Sequence, residues 1–318
     1  MLTLNVPPRT PLVREPTPIQ HLPRLSEALG TQIYCKRDDL SGFGYGGNKI
    51  RKLEYLTGEA LQEGADCLVT CGSNQSNWCC AVAVAGAVLG LDVYLVLGGQ
   101  VPQVDTGNVR LDRIAGAKIS HVDTSDDAEL EAAAAELTKS LKARGKRPWQ
   151  IVMGGSTGVG SLGYVNAVEE IVRYEDATRT PFSHIVHATG SAGTQAGLVA
   201  GSLRHGWRGE VIGMAVSRPR DAQEAKVRTI LGQMLSDDAL AQAKVIVEDG
   251  FVGGGYRQKT EACAEAIDMF ARMEGIFLDE VYTGKAAAGL IQYGRQGRFG
   301  ADERVLFIHT GGTAQLFE

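Results

Sequence analysis

The residues best suited to chemistry lie in Gly46-Gly47-Asn48-Lys49-Ile50-Arg51-Lys52-Leu53-Glu54, just after the strand-like run Tyr34-Cys35-Lys36-Arg37-Asp38-Asp39. Two glycines allow close backbone approach, Asn48 is a favourable N-cap, and Lys49 falls in the first helical turn. The positive helix end and neighbouring cations favour a neutral amine there, and a neutral lysine is a nucleophile for aldehydes. The same nonapeptide also reads as a capped helix with solvated basic residues, so its meaning depends on the rest of the chain.

A second group, Ala188-Thr189-Gly190-Ser191-Ala192-Gly193-Thr194-Gln195-Ala196-Gly197, follows a strand-like run and opens a helix. Small residues let backbone N–H groups converge on an anion at the positive helix end, with the Ser191 and Thr194 hydroxyls adding hydrogen bonds. The segment lacks the Gly-Lys-Ser/Thr ending of a nucleoside-triphosphate loop. No acidic residue follows near Val216, as a dinucleotide fingerprint requires. An anion cup and a tight glycine-packed turn are the two readings left.

Three further clusters sit at strand ends or helix starts. Ser73, Asn74, Gln75, Ser76, Asn77 and Trp78 concentrate amides and hydroxyls where free N–H groups can bind a carboxylate, or where they cap a helix. Asp279-Glu280-Val281-Tyr282-Thr283-Gly284-Lys285 brings a tyrosine and a threonine to another helix start, and His309-Thr310-Gly311-Gly312-Thr313 follows the last strand. Together these describe a site for a small phosphorylated cofactor and a carboxylate-bearing substrate, with a lysine for Schiff-base chemistry. Pyridoxal phosphate fits every part of that description.

The elements that must position these groups alternate regularly. Strands are expected at 32–39, 66–71, 92–97, 118–122, 149–153, 184–188, 210–216, 244–247 and 305–309. Helices are expected at 22–29, 48–63, 75–89, 109–115, 126–144 (capped by Thr124 or Ser125), 163–174, 195–204, 223–231, 260–273 and 284–293. Continuous apolar strands between helices mean parallel sheets covered on both faces, an α/β protein. With 318 residues, 44% hydrophobic and 22% charged, the chain can bury one large or two moderate cores. A net charge of -5 argues against a nucleic-acid partner. No apolar run is long enough to span a bilayer, and Met1-Leu2-Thr3-Leu4-Asn5-Val6-Pro7-Pro8 lacks the features of a signal peptide. Cys35, Cys67, Cys71, Cys79, Cys80 and Cys263 lie mostly in apolar segments and read as buried free thiols of a reducing cytoplasm, with no metal site.

Five motifs in register, from the 46–54 segment through Gln75-Ser76-Asn77, Gly190-Ser191-Ala192-Gly193-Thr194 and Val281-Tyr282-Thr283-Gly284-Lys285 to His309-Thr310-Gly311-Gly312, resemble the D-cysteine desulfhydrase and 1-aminocyclopropane-1-carboxylate deaminase family. That family belongs to the tryptophan-synthase-β-like, fold-type II pyridoxal phosphate enzymes. The resemblance implies two open, mainly parallel twisted sheets flanked by helices, with the cofactor in a cleft between domains. Residues 1–50 and 156–318 would form the large domain and 51–155 the small one. A homodimer is implied as well.

By the same resemblance, Lys49 would hold the cofactor, Lys52 and the Gly190–Thr194 loop its phosphate, and Asn77 its ring hydroxyl, with Asn48 and Thr283 also against it. Thr310 would approach the pyridine nitrogen. Ser76 would face the substrate carboxylate or act as an acid-base group, with Ser73, Asn74, Gln75, Asn77 and Trp78 around the substrate and Tyr282 near its β-carbon. Cyclopropane-opening members carry Glu after the tyrosine. Thr283 at that position implies elimination of a β-substituent from an amino acid such as D-cysteine or L-cysteate, giving pyruvate, ammonia and sulfide or sulfite. Cyclopropane deamination, a catalytically silent cofactor-binding protein and, remotely, a nicotinamide dehydrogenase are the alternatives. Two stretches depart from the family pattern. Trp78-Cys79-Cys80 replaces a polar, arginine-containing run, and in Phe251-Val252-Gly253-Gly254-Gly255-Tyr256-Arg257 a glycine, Gly253, falls about where a tyrosine is expected. Arg257 is either a solvated charge or a partner for an acidic substrate group.

Overall fold

The computed structural model describes residues 3, 5–42 and 44–317. Met1, Leu2 and Leu4 of the leader reading, and Phe43 of the glycine-rich turn before Lys49, lie outside the described residues. Regular structure begins with β1 (Ile19–His21), α1 (Pro23–Leu29) and β2 (Gln32–Lys36). Then come α2 (Asn48–Gln62), β3 (Cys67–Ser73), α3 (Asn77–Leu89), β4 (Asp92–Gly98), α4 (Gly107–Ile114), β5 (Lys118–Val122), α5 (Asp127–Ala143) and β6 (Pro148–Gln150). The long α6 (Gly158–Thr178) leads to β7 (His184–Thr189), α7 (Gly193–His205), β8 (Glu210–Ala215), α8 (Arg220–Leu231), α9 (Asp237–Gln242) and β9 (Ile246–Glu248). The chain closes through α10 (Glu261–Met269), α11 (Thr283–Arg295) and β10 (Arg304–Ile308).

These strands form two sheets. One has six strands in the order β1-β2-β10-β7-β8-β9, parallel except at β1, and the other four in the order β5-β4-β3-β6, parallel throughout. Both faces of each are covered. In β10 Val305, Leu306, Phe307 and Ile308 are all fully buried, because α6, α7 and α8 pack on one face of the large sheet and α1, α10 and α11 on the other. The small sheet is covered in the same way by α2 and α3 on one side and α5 on the other. Parallel pairing lines up the carboxyl ends of β10, β7 and β8, the edge at which α/β sheets bind ligands.

Several local expectations need correction. Gly47, at φ 99°, occupies the N-cap of α2, and Asn48 is its first helical residue. A side chain at Gly47 would also collide with the Thr310 carbonyl, its Cβ falling 2.7 Å from that oxygen. The cap of α5 is Asp126, whose carboxylate accepts the Ala128 and Glu129 N–H groups, so neither Thr124 nor Ser125 serves. Helix α6 begins inside the glycine-rich stretch, because Thr157 caps it by accepting the Gly160 N–H. The strand expected at 149–153 is only Pro148–Gln150, and α9, which buries none of its residues, offered no apolar pattern to find.

One buried ionic cluster joins α2, α6 and the end of β2. The Arg51 guanidinium, with no exposed surface, donates to both Asp38 oxygens at 2.9 Å and to the Glu170 oxygens at 2.7 and 3.0 Å. Lys36 donates to Glu170 at 2.6 Å and the Tyr164 hydroxyl to Asp38 at 2.6 Å. Burial pushes the Asp38 carboxyl upward, but Arg51 and Lys36 outweigh it and hold the group at about 2. Helices α2 and α6 approach closely enough here that a Cβ on Gly163 would lie 2.1 Å from the Arg51 carbonyl oxygen. Replacing Arg51 by Met strands two buried carboxylates, so unfolding in denaturant should show a loss of about 3–5 kcal/mol.

Candidate active site

A cavity of about 1210 Å³ opens where the carboxyl ends of the two sheets face each other. Lys49, from the first turn of α2, lines it, as do Ser73, Ser76, Asn77 and Trp78 from the β3–α3 junction. Gly190, Ser191, Ala192 and Thr194 come from the β7–α7 loop, Tyr282 from the start of α11, and Thr310 from the end of β10. The five sequence clusters, scattered over the whole chain, therefore meet at one place.

Lys49 donates from Nζ to Asn48 Oδ1 at 3.0 Å, and Asn48 Nδ2 donates to Thr194 Oγ1 at 2.9 Å, which ties the lysine to the β7–α7 loop. Burial pulls the Lys49 ammonium down to about 8, with Asp279 opposing. Removal from water, rather than the neighbouring cations expected from the sequence, is the cause. Lys52 lies one helical turn on and is fully buried. Its Nζ donates to the Gly154 carbonyl and Ser156 Oγ at 3.0 Å and to Ser191 Oγ at 3.4 Å, and burial followed by Lys49 and Lys226 drives its pKa well below the usual lysine range. At the start of α7, Ala192 adopts a left-handed φ of 74°, a strained conformation for alanine held at the mouth of the loop.

A buried cation whose partners are all neutral, set beside a helix N-terminus, is built for an anion. A phosphate fits that place, and an aldehyde fits beside Lys49, so the residues suit pyridoxal phosphate. Lys52, Ser191 and Thr194 would hold the phosphate and Lys49 the aldehyde carbon. Lys52→Met should then weaken cofactor affinity at least ~10-fold in a titration of cofactor-free protein, with little change in Tm without cofactor.

Other expected site residues take different places. Thr283 does not line the cavity: its Oγ1 donates to Asp279 Oδ1 at 2.6 Å in a fully buried cap. Asp279 also accepts the Val281, Tyr282 and Thr283 N–H groups, and so fixes the start of α11 and the tyrosine on it. Asn74 and Gln75 turn away from the cavity toward the loop before α4, Asn74 donating to the Gln100 carbonyl and Gln75 accepting the Asn108 N–H. Gly193 lies in the loop but off the cavity lining. Ser76 is the N-cap of α3, accepting the Cys79 N–H at 3.2 Å, and Asn77 Oδ1 accepts from Asn108 at 2.9 Å. Trp78 is buried with its N–H given to Thr70 at 2.8 Å, which makes it chiefly a packing residue with one edge on the cavity.

The structure also supplies Tyr256, Arg218 and Lys226, which the sequence reading gave no role, and brings Arg257, left open between surface and substrate, to the cavity. The Tyr256 hydroxyl lies 2.6 Å from that of Tyr282, and Lys49 Nζ sits 5.9 Å from the centre of the Tyr282 ring. Tyr256 thus brings a tyrosine to the part of the site where Gly253 stood in the sequence comparison. The offset is concealed by a loop with φ of 66° at Gly253, 132° at Gly255 and 60° at Arg257. Arg218, Lys226 and Arg257 line the same cavity, and Arg218 donates to the Gly190 carbonyl at 3.0 Å. The only advance signal for Ser156 was the glycine-rich run around it.

Behind the cavity wall, Asp112 is fully buried against the Cys80 thiol, and among the described residues no N–H or O–H group donates to either of its oxygens. Burial pushes its carboxyl up to about 8, while the Cys80 thiol pulls it down. An acid raised in the folded state loses stability as pH climbs from its unfolded value near 4 to about 8, and the loss stays constant above that. Asp112→Asn should therefore match the parent near pH 4 and exceed it by about 5 kcal/mol at pH 9 in urea unfolding.

Comparison with known proteins agrees with this geometry. Residues 11–311 match the family model described as pyridoxal-phosphate dependent enzyme, and the chain belongs to that family. It is a pyridoxal-phosphate-dependent protein of the fold-type II class. Among its relatives, the D-cysteine desulfhydrase of Salmonella typhi is 41% identical over 98% of this chain and 95% of its own length. A putative 1-aminocyclopropane-1-carboxylate deaminase of Pyrococcus abyssi is 39% identical over 98% and 93%. The crystal structure of an ACC deaminase homologue superposes with a TM-score of 0.88 at 41% identity, covering 98% of this chain and 93% of that one. Among the described residues no group of three or more His, Cys, Asp or Glu could hold a metal ion, and no helix is long and apolar enough to cross a membrane.

Proposed function

We propose that the chain is a lyase that eliminates a sulfur-containing β-substituent from a three-carbon amino acid, D-cysteine or L-cysteate, to give pyruvate, ammonia and sulfide or sulfite. The observation that carries this reading is the Tyr256–Tyr282 hydroxyl pair, facing the same cavity as Lys49. Together they offer an amine to take a proton and hydroxyls to supply one. When bound, the cofactor supplies an electron sink that acidifies the substrate Cα–H. Lys49, with its pKa brought down to about 8, takes that proton at Nζ. The electron pair then forms the Cα–Cβ double bond as the bond from Cβ to sulfur breaks. Burial holds the Tyr282 hydroxyl well above its ordinary pKa, so it stays protonated and, with Tyr256, donates to a departing thiolate. A sulfite leaving group needs no proton, and the Arg218, Lys226 and Arg257 cations around the cavity suit its charge. Ser76 keeps its hydroxyl proton for the substrate carboxylate while its oxygen caps α3.

The lining also bears on the choice of reaction. Acidic side chains on the cavity, Asp123, Asp127 and Glu131, come from the small-sheet side, while the end of β10 offers Thr310 and backbone. A pyridine nitrogen held near Thr310 would have no carboxylate beside it to keep it protonated, which would suit loss of a good leaving group better than opening a carbon ring. The second reading, cyclopropane deamination to 2-oxobutyrate, draws its support from the names of the Pyrococcus relatives. We also keep as proposals the division into 1–50 with 156–318 and 51–155, closure of the smaller part over substrate, a homodimer and a cytoplasmic location.

The deciding experiment incubates the cofactor-loaded protein with D-cysteine, L-cysteine, L-cysteate and 1-aminocyclopropane-1-carboxylate. Pyruvate together with sulfide or sulfite is the expected product, and 2-oxobutyrate from the cyclopropane would establish the second reading instead. Silence on all four would leave a protein that binds the cofactor without turning over. Lys49→Ala should abolish both turnover and the visible absorbance of lysine-bound cofactor.

A further inference from the structure

Lys285 is fully buried in the first turn of α11, a place that elementary electrostatics disfavours for a cation. Long side chains on a helix lean toward its N-terminus, and this one reaches past the start of α11 into the loop before α10. Its Nζ donates to the carbonyls of Val252 at 2.7 Å and Gly255 at 2.8 Å, and more weakly to Val216 at 3.4 Å. Three acceptors match the three protons of an ammonium group, all of them neutral. Two belong to the turn that directly precedes Tyr256, and the third to the residue before Ser217 and Arg218, which line the cavity. The start of the loop is held by Phe251, which is buried in the core against Tyr293. The loop's own backbone bonds are the short-range contacts from Val252 to Asp249 and from Gln258 to Gly255, both 3.2 Å, and it passes through three positive φ angles. Lys259, at the end of the loop, pairs with Glu280 just before α11, but both are about half exposed, so that pair holds the loop only weakly.

We propose that Lys285 is a positioning residue: by holding the Val252 and Gly255 carbonyls against the start of α11, it sets the 2.6 Å contact between the Tyr256 and Tyr282 hydroxyls. Tyr282 is fixed from the helix side by Asp279. Tyr256 is reached through the two carbonyls that precede it, which Lys285 holds from the helix that carries Tyr282. The pair is therefore built from one helix start, which holds one tyrosine through a carboxylate and the other through an ammonium. The catalytic part of this inference rests on the elimination reading above; the structural part does not.

The test compares Lys285→Met, Tyr256→Phe and the double variant. In cofactor-free protein, amide hydrogen exchange across 251–259 should quicken about tenfold in Lys285→Met and stay unchanged in Tyr256→Phe, since only the first removes the tether. In loaded enzyme each single variant should lower kcat by about 100-fold with a smaller change in KM, and the double variant should be no worse than either. Unchanged exchange in Lys285→Met would overturn the proposal, as would losses that multiply in the double variant. If the parent releases no keto acid, the elimination reading fails while the exchange comparison still decides the tether. Should Lys285→Met not fold, Lys285→Gln, which keeps donors on a shorter arm, is carried through the same exchange measurement, with the same outcomes deciding.

Discussion

The site depends on the direction in which α2 faces, and the buried guanidinium of Arg51 sets it. Arg51 lies between Lys49 and Lys52 in sequence but projects from another side of the helix. Its planar fork is held by Asp38 from the end of β2 and by Glu170 from α6, both through paired hydrogen bonds. Once that side is fixed, Lys49 and Lys52, three residues apart and so on one face, have one direction left to them, the sheet edge where β7 and β10 end. Buried ion pairs of this kind contribute little net stability against a well-packed apolar alternative, and their worth here is orientation. The cluster is balanced, Arg51 and Lys36 against Asp38 and Glu170, so the helix is held without leaving net charge beneath the cavity.

Around the cavity, buried lysines and buried carboxylates are handled differently. Asp38, Glu170 and Asp279 are saturated with partners and serve as struts. Lys52 and Lys285 instead meet only hydroxyls and carbonyls, and Lys49 only an amide oxygen. An ammonium group without a counter-charge is costly to bury, and it recovers that cost by finding an anion, by giving up its proton or by collecting carbonyls. The three lysines take these three courses in turn: Lys52 beside the anion cup, Lys49 lowered toward neutrality, and Lys285 on the loop. One sequence feature, a lysine near a helix start, thus serves three purposes according to what lies beyond its tip.

The comparisons and the geometry agree most closely on the cofactor side. Substrate-side differences cluster in two places, the α3 start with Trp78 and Cys80, and the loop before α10. At the first, an apolar ring occupies the wall and Asp112 is buried against the Cys80 thiol, with no N–H or O–H donor among the described residues. At the second, a glycine-rich turn delivers Tyr256 from a shifted position, and Arg257 comes with it to the cavity mouth.

Alternation of apolar runs with helical periodicity was enough to establish parallel sheets covered on both faces, since period and length are local properties of the chain; that there are two came from the family resemblance. Strand-end clusters were legible for the same reason: a glycine turn, a capping hydroxyl and a lysine within a few residues carry their geometry with them. What local pattern could not decide was which way each cluster pointed. Thr283 and Asn77 read alike as polar residues at helix starts, yet one is locked into the Asp279 cap and the other reaches the cavity. Arg51 reads as one more solvated base and is fully buried between two carboxylates. Tyr256 was hidden because two positive-φ glycines, Gly253 and Gly255, turn the chain just before it. These outcomes depend on tertiary partners or on cap geometry; Glu170, the partner of Arg51, is 119 residues away, and only the packing of α2 against α6 brings the two within reach.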